Sequence, residues 1–348
     1  LRDNGLLSIE FPKEYGGEDA GLLAEVISTE ELSRVDGTIG NISAGHTLGA
    51  LPILIAANDD VKKRFLPGLS TGKDLCTFGL TETSGGSDVA GFTTRAEKKG
   101  NEYLINGNKI FISNGTYADV STVYAVTDPA KPQHQKATVF VFRMKNSDGS
   151  FVPGYGVGKR EIKMGLRTAD TVEQVYNDLH IPAEDMVGKE GQAFAIMMKT
   201  LDFSRPIIAA QALGNAQGAF EEAIAYAKER VVFGKPIIQH EGIGFMLADM
   251  AIQIESARQL LYKASSVLQE LSKDINVRLT PEQVRYSSMC KCYATDVGMA
   301  VTTNAVQVFG GYGYCRDYPV EKKMRDAKVL QIYEGSNEIQ RLVISRTL

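Results

Sequence analysis

The spacing of apolar residues changes twice along the chain, and these changes predict three structural regions. From residue 18 to about residue 76, apolar side chains such as Leu22 and Val26 recur three and four positions apart, which predicts helices. Between residues 77 and 182, short apolar runs are separated by turn residues, which predicts strands. Helical spacing returns after Gly191 and continues to the last residues. The predicted order is therefore α, then β, then α.

The middle region contains one strong turn signal. Asn106 and Gly107 lie between the apolar runs 103–105 and 109–112. Both residue types tolerate positive φ, so the pair predicts a two-residue hairpin turn. Further strands are predicted at 120–126, 138–142 and 172–181.

The third region has clear signals for helix boundaries. Thr280, Pro281 and Gln283 together predict a helix start with a capping box. This helix, predicted to be the longest, runs to Phe309 and ends at the glycine pair 310–311. Two more helices are predicted, one from near Pro319 and one over residues 338–345 with Asn337 as its N-cap.

Composition argues against several classes of partner and cofactor. The 348 residues carry a net charge of −4 with no basic block, so nucleic acid is not an expected partner. No apolar run approaches the roughly 18 to 20 residues that span a bilayer, so we expect no membrane insertion. The four cysteines lack paired CxxC spacing and the four histidines are far apart, which argues against metal sites and disulfides and favours a reducing compartment. Neither a G-x-G-x-x-G turn nor a P-loop is present, so nicotinamide and ATP sites lack support.

One loop and one acidic residue are candidates for chemistry. The segment 81–88 combines Thr, Ser, Gly and Asp; its polar groups suit a ligand, although such residues are also typical of an ordinary surface loop. Glu334 follows apolar Leu330 and Ile332 and precedes Gly335, at a junction between two helices. The ordinary interpretation of such a residue is a solvated carboxylate. If it were buried, its pKa would rise and it would suit a general base.

Three separated motifs resemble those of the acyl-CoA dehydrogenase family. Residues 81–88 are similar to the family's T-E-P-x-x-G-S-D, residues 307–313 to Q-x-x-G-G-x-G, and residues 331–341 to Q-I-Y-E-G-T-N-E-I-Q-R. The resemblance covers essentially the whole chain. It implies an α+β fold with an N-terminal all-α domain (1–76), a middle β-barrel-like domain (77–182) and a C-terminal four-helix-bundle domain (183–348), assembled as a homotetramer.

The resemblance also implies sites for FAD and for an acyl-CoA thioester. Glu334 would be the catalytic base; Ser204 occupies the position at which some branches of the family carry that base, and it is not acidic. Among the implied FAD contacts, Gln307, Gly310 and Gly311 would contact the FAD of a neighbouring subunit. The implied FAD contacts are Phe78, Leu80, Thr81, Gly86, Ser87, Phe111, Ile112, Ser113, Arg230, Phe233, His240, Gln307, Gly310, Gly311, Ser336, Asn337 and Glu338. The implied substrate contacts are Ser87, Asp202, Arg205 and Gly335.

The implied reaction converts an acyl-CoA to the 2-enoyl-CoA. Glu334 would take the α-proton and flavin N5 the β-hydride, while hydrogen bonds to the thioester carbonyl stabilise the developing enolate. Electrons would pass to an electron-transfer flavoprotein, in the cytoplasm of a bacterium or in the mitochondrial matrix of a eukaryote. The same fold working as an enoyl-CoA reductase, an acyl-CoA oxidase or a non-catalytic flavin-binding protein stays an alternative. The similarity is closest to short- and medium-chain enzymes.

Three residues depart from the family pattern near the implied flavin site. Thr83 replaces the usual Pro, which predicts a flavin loop less restricted in φ. Phe111 replaces the usual Trp, which keeps an aromatic face but loses the indole N–H. Glu241 stands where Gln is common. These departures bear on flavin binding rather than on the base.

Overall fold

The computed structural model describes residues 1–269 and 273–348, and its elements follow the predicted α, β, α order. The helices are α1 (Gly21–Val35), α2 (Gly37–Ala56), α3 (Asp59–Ser70), α4 (Ala193–Glu229), α5 (Glu241–Gln269), α6 (Pro281–Phe309), α7 (Val320–Leu330) and α8 (Asn337–Arg346). The strands are β1 (Cys76–Gly79), β2 (Arg95–Lys99), β3 (Glu102–Ser113), β4 (Val120–Val126), β5 (Ala137–Arg143), β6 (Tyr155–Arg160), β7 (Thr171–Pro182), β8 (Met186–Val187), β9 (Val231–Val232) and β10 (Lys235–Pro236).

The apolar helix α2 joins the sheet to the C-terminal helices. It begins where the Asp36 carboxylate accepts a hydrogen bond from the Thr38 N–H at 2.7 Å, an ordinary N-cap. Leu51 lies in the apolar core that α2 shares with α4, α5 and α6, whereas Ile53 lies in the core shared with the sheet. Both side chains are fully buried, so α2 is apolar on more than one face.

By length and composition, α2 also meets the criteria for a helix that could cross a membrane. The expectation that no apolar run reaches such a length is therefore wrong for this segment. Buried residues make up 72% of the window concerned, as they do in the core helix of a globular fold.

The strands β1 to β8 form one sheet in the order β6-β7-β3-β2-β4-β5-β8, with β1 paired in parallel to β4. Strands near opposite ends of this order meet, since the rings of Phe142 on β5 and Tyr155 on β6 have centroids 5.6 Å apart. Tyr176 on β7 belongs to the same apolar core. The sheet therefore curves around its own core, which is the barrel-like arrangement expected for the middle domain.

The hairpin predicted at Asn106 and Gly107 is wrong. The strand β3 runs through both residues, and the turn lies earlier, at Gly100 and Asn101 between β2 and β3. Gly107 uses its φ of 139° for a bulge in the pairing with β7. A Cβ atom there would lie 2.8 Å from the Thr94 Cα atom, so the glycine is required by close backbone approach rather than by a turn.

The helices α4, α5 and α6 pack side by side in the C-terminal domain. The capping box at the start of α6 is confirmed: Thr280 Oγ1 accepts from the Gln283 N–H (3.3 Å), and Gln283 Oε1 accepts from the Thr280 N–H (2.7 Å). The prediction that α6 is the longest helix is wrong, because α4 has 37 residues and α6 has 29. Since α4 is buried on nearly all sides, it lacks the one-sided apolar stripe that marks a surface helix.

Candidate active site

Glu334 lies in a tight turn between α7 and α8, and two consecutive residues of this turn are left-handed. The φ angle is 56° at Glu334 and 88° at Gly335. Such a conformation costs a non-glycine residue about 1–2 kcal/mol, so the turn needs support from its surroundings. Gln340 Nε2 donates to the backbone oxygens of Glu334 (3.0 Å) and Gly335 (2.9 Å), and Lys291 Nζ donates to the Gly335 oxygen (2.7 Å). Side chains from α8 and α6 therefore hold the turn that carries Glu334.

The Glu334 carboxylate is directed towards α4 and is partly shielded from solvent. Its Oε2 atom accepts a hydrogen bond from Ser204 Oγ at 2.8 Å. Burial raises the pKa of Glu334 above its ordinary value, and the Ser204 hydrogen bond and the charges of Arg205 and Lys291 offset only part of the rise. A carboxylate with a raised pKa binds a proton more tightly than an exposed one, which suits it to act as a general base.

Arg205 forms a buried ion pair with Asp202 next to this carboxylate. Arg205 Nη1 lies 2.6 Å from Asp202 Oδ1 and 3.3 Å from Ser288 Oγ on α6. Burial raises the pKa of Asp202 to about 6, although the charge of Arg205 opposes the rise. The buried Nε atom of Arg205 has no hydrogen-bond partner among the described residues. Both predicted substrate contacts on α4 therefore lie beside the Glu334 turn.

The loop predicted to bind flavin follows β1 and is joined to β3. The Ile110 N–H donates to the Thr81 oxygen (2.8 Å), and Thr77 Oγ1 donates to the Ser113 oxygen (2.6 Å). Six of the predicted flavin contacts consequently lie on two adjacent segments. They are Phe78, Leu80, Thr81, Phe111, Ile112 and Ser113. Two more, Gly86 and Ser87, lie further along the same loop.

An aromatic face is exposed beside this loop. Phe111 has a φ of 59°, and its side chain is 60% exposed although it lies within β3. An exposed ring in this setting suits another planar ring stacked on it. Phe78 on β1 packs edge-on against Tyr124 with centroids 5.2 Å apart, and burial together with the charge of Glu334 raises the pKa of Tyr124. Tyr124 thus connects the loop with the Glu334 turn.

A buried ion pair that the sequence does not predict holds the same loop. Lys109 Nζ lies 2.7 Å from Glu82 Oε1 and donates to the Leu80 oxygen (3.1 Å), and both charged side chains are buried. Glu82 also accepts from Thr93 N (2.6 Å), Thr93 Oγ1 (2.7 Å) and Thr94 N (3.1 Å). Although burial opposes it, the Lys109 charge and these donors lower the pKa of Glu82 to about 2, while burial lowers that of Lys109 to about 8. Glu82 is therefore a structural anion.

This ion pair changes what is expected of Thr83. The exposed Thr83 follows Glu82 in a turn closed by backbone hydrogen bonds between Glu82 and Gly85, at 3.1 and 3.4 Å. The contacts that the Glu82 side chain makes restrict this loop, which a proline at position 83 would restrict in other members of the family. The only signal for this in the sequence is a single Lys in an apolar strand, which does not identify its partner.

A second group of predicted residues lines a cavity of about 710 Å³ where α4 and α6 end. The predicted residues in its wall are Arg230, Phe233, His240, Gly310 and Gly311. The Arg230 guanidinium lies 5.7 Å from the ring centroid of Tyr312, and Phe233 is 92% exposed. Gln307 is exposed one helical turn before Gly310. Aromatic side chains, a guanidinium and glycine backbone suit a ligand with an aromatic ring and phosphate groups.

Models of the N-terminal, middle and C-terminal domains of acyl-CoA dehydrogenase match residues 1–73, 77–179 and 191–348. The chain belongs to the acyl-CoA dehydrogenase family. The short-chain specific acyl-CoA dehydrogenase of Clostridium acetobutylicum is 45% identical to it over 342 residues, which cover 98% of this chain and 86% of the relative.

Solved structures agree with this membership. Butyryl-CoA dehydrogenase from Megasphaera elsdenii superposes with a TM-score of 0.91 at 42% identity, covering 99% of this chain and 87% of that one. A chain from a structure described as the electron transferring flavoprotein of Acidaminococcus fermentans superposes with a TM-score of 0.92 at 41% identity, with the same coverage. This chain is thus an enzyme that dehydrogenates acyl-CoA thioesters.

In this acyl-CoA dehydrogenase the predicted FAD contacts do not all come together. Ser204 beside Glu334 and Arg230 in the second cavity are 26 positions apart along α4 and its C-cap, or about 39 Å at 1.5 Å per residue. The flavin loop is linked to the Glu334 end through Phe78 and Tyr124, whereas Gly310 lies at the other end. Two separate surfaces in one chain therefore carry the predicted FAD contacts.

The prediction that Asn337 is the N-cap of α8 is wrong. Asn337 is the first helical residue, and Ser336 is the N-cap. Its buried side chain donates to Thr295 Oγ1 (2.9 Å) and Asp296 Oδ1 (2.7 Å), and it accepts from Lys291 Nζ (3.0 Å). The amide therefore fastens the start of α8 to α6. Ser336 and the exposed Glu338 stay predicted contacts at this helix N-terminus.

Proposed function

We propose that this acyl-CoA dehydrogenase uses Glu334 to remove the α-proton of a short-chain acyl-CoA, with FAD as the bound electron acceptor. The observation that carries the proposal is the Glu334 carboxylate, which lies in a left-handed turn, accepts a hydrogen bond from Ser204 and has a raised pKa. Backbone strain and a perturbed pKa at the same residue are typical of functional sites.

The backbone of Glu334 can assist the same step. The α-proton of a thioester is weakly acidic, so the carbonyl oxygen needs hydrogen-bond donors as negative charge develops on it. Among the described residues, the Glu334 N–H donates to no other group. A thioester oxygen bound there would bring its α-carbon close to the carboxylate of the same residue. Glu334 would then supply both the base and one donor to the oxygen.

The residues present fit FAD in two parts. Phe111 offers an exposed aromatic face for the isoalloxazine ring, and Arg230 with the glycine pair 310–311 suits phosphates and adenine. Bound FAD would accept the hydride from the β-carbon. Because about 39 Å separates the two surfaces along α4, we infer that each FAD lies between two subunits, and we propose a homotetramer.

The substrate and the electron acceptor are proposed from the relatives. The Clostridium relative is named as short-chain specific, and the Megasphaera structure is a butyryl-CoA dehydrogenase. We therefore propose a short straight-chain acyl-CoA as substrate. An electron-transfer flavoprotein is the proposed electron acceptor, because one chain that superposes on this protein comes from a structure described as an electron transferring flavoprotein.

An anaerobic flavin-reduction screen tests the proposal. Purified FAD-loaded protein is mixed with acyl-CoAs of four to sixteen carbons, and loss of the flavin absorbance is followed. Bleaching should be fastest with the shortest chains, and absence of bleaching with every chain would refute the function. Comparing reoxidation by oxygen with reoxidation by an electron-transfer flavoprotein identifies the acceptor.

The base assignment has its own variant. Glu334→Gln should retain FAD but lower the rate of bleaching by about 100- to 10,000-fold, the usual contribution of a general base. Glu282→Gln, which changes an exposed carboxylate in the first turn of α6, is the matched control. Wild-type rates in Glu334→Gln would rule out Glu334 as the base.

A further inference from the structure

Lys291 on α6 is fully buried, and its ammonium group is directed to the turn that carries Glu334. Its Nζ atom donates to the Gly335 oxygen at 2.7 Å and to Asn337 Oδ1 at 3.0 Å. Neither oxygen belongs to a carboxylate. A buried ammonium group is costly unless its hydrogen bonds are satisfied, so its place beside Glu334 calls for an explanation.

The contacts of Lys291 fix the backbone that follows the base. Gly335 is left-handed, and its oxygen accepts from both Lys291 and Gln340. Asn337, the second partner of Lys291, is held by Thr295 and Asp296 on α6. The turn is thus fastened to α6 on both sides of Ser336, and Lys291 is the residue common to both attachments.

The charge of Lys291 also acts on the base. The charged or titratable groups that face Glu334 are Arg205 on α4, Lys291 on α6, Tyr124 on β4 and the adjacent Tyr333. Arg205 is already paired with Asp202 at 2.6 Å. Burial lowers the pKa of Lys291 to about 8, opposed first by the negative charge of Glu334, whereas the positive charge of Arg205 lowers it further. Lys291 is therefore still mainly charged at neutral pH.

We propose that Lys291 is a positioning residue for the base: it fixes the left-handed turn through the Gly335 oxygen and places a buried positive charge beside Glu334. This inference rests on the proposed role of Glu334. The ammonium group donates to a backbone oxygen of the next residue and not to the carboxylate. Its charge therefore acts on Glu334 while no hydrogen bond from Lys291 occupies the carboxylate oxygens.

The pH dependence of flavin reduction tests the role of the charge. Without Lys291, Glu334 binds its proton more tightly, so a higher pH is needed to form the carboxylate. The acid limb of the profile should move up by about 0.3 of a pH unit in Lys291→Met and in Lys291→Gln, which keeps an N–H donor. Lys323→Met is the matched control, because buried Lys323 also donates to backbone oxygens, at Arg34 (2.8 Å) and Val35 (3.3 Å).

A second measurement does not depend on activity. Unfolding midpoints of wild type, Lys291→Met, Glu334→Gln and the double variant form a thermodynamic cycle. Lys291→Met should lower the unfolding midpoint more in the wild-type background than in the Glu334→Gln background. In the wild-type background this loss should be larger at a pH above the acid limb, where Glu334 is charged, than at a pH below it. Additive effects together with an unmoved acid limb would overturn the proposal. Failure of wild type to bleach with any acyl-CoA would instead overturn the proposed function.

Discussion

Two turns of this molecule combine a glutamate with a buried lysine, and they use the pair in opposite ways. In the flavin loop, Lys109 contacts the Glu82 carboxylate directly, N–H and O–H groups of Ser84, Thr93 and Thr94 also donate to it, and the pKa of Glu82 falls to about 2. At the helix junction, Lys291 contacts the Gly335 oxygen instead, and Glu334 keeps one hydrogen bond and a raised pKa. A lysine that contacts the carboxylate itself gives a structural anion, whereas a lysine that contacts a neighbouring backbone oxygen leaves the carboxylate able to act as a base.

The difference shows how burial can serve either purpose. Desolvation raises the pKa of both carboxyl groups, and the outcome depends on the donors that oppose it. The donors around Glu82 keep its carboxylate ionised. The Glu334 carboxylate has fewer hydrogen-bond donors, so it can accept a proton. The left-handed backbone of Glu334 is strained, and neighbouring side chains support it.

The largest expected effect comes from breaking the structural pair. Lys109→Met leaves Glu82 as a buried charge without a counter-ion, so it should lower the free energy of unfolding by about 3–5 kcal/mol. Denaturant unfolding of the variant measures this. Lys109→Met combined with Glu82→Gln should recover part of the loss, and Lys323→Met should cost less because Lys323 donates to backbone oxygens. A loss below about 1 kcal/mol in Lys109→Met would contradict the assignment.

The comparison extends to Glu25, a buried glutamate that accepts a hydrogen bond from a threonine. Burial and the charge of Glu10 raise the pKa of Glu25 to about 8, although the Thr47 hydroxyl donates to it and Lys273, which bonds to Glu10, lies nearby. The unfolded chain releases this proton above about pH 4.5, whereas the folded chain keeps it until about pH 8. Stability should therefore fall as pH rises through this window, by roughly a few kcal/mol.

Glu25→Gln should remove that fall and make the protein more stable than wild type above pH 8. Thermal unfolding from pH 5 to pH 9 measures the difference, with the Glu18→Gln surface variant as control. Parallel curves for wild type and Glu25→Gln would show that Glu25 is not the group responsible.

A smaller effect concerns the hydrogen bond that the Glu334 carboxylate accepts from Ser204. Ser204→Ala removes the donor that lowers the pKa of Glu334 more than the charge of Arg205 or of Lys291 does, so the acid limb of flavin reduction should move up by more than in Lys291→Met. A shift of about half a pH unit corresponds to a hydrogen bond worth about 0.7 kcal/mol. Ser265→Ala, a buried helical serine bonded to the Leu261 oxygen, is the control. A shift smaller than that of Lys291→Met would make the charge of Lys291 the stronger influence on the pKa of Glu334.

The sequence by itself determined the order of helices and strands, the start of α6 and the family. Each of these depends on neighbours in the chain: apolar spacing, the capping pair Thr280 and Gln283, and contiguous motifs such as 331–341. It also singled out Glu334, but only through the motif, because a lone Glu at a helix junction is more often solvated. The error at Gly107 has a physical reason, since the same positive φ serves a bulge and a turn.

Only the tertiary structure decided which groups meet. Lys109 and Glu82 are 27 positions apart, and Lys291 and Gly335 are 44 apart, so no local pattern connects them. The length of α4 likewise shows how far apart within one chain the two groups of predicted FAD contacts lie. Sequence spacing determines local conformation through short-range contacts, whereas burial and the partner of each charge depend on how distant segments pack. The pKa of Glu334, and with it the chemistry proposed here, depends on that packing.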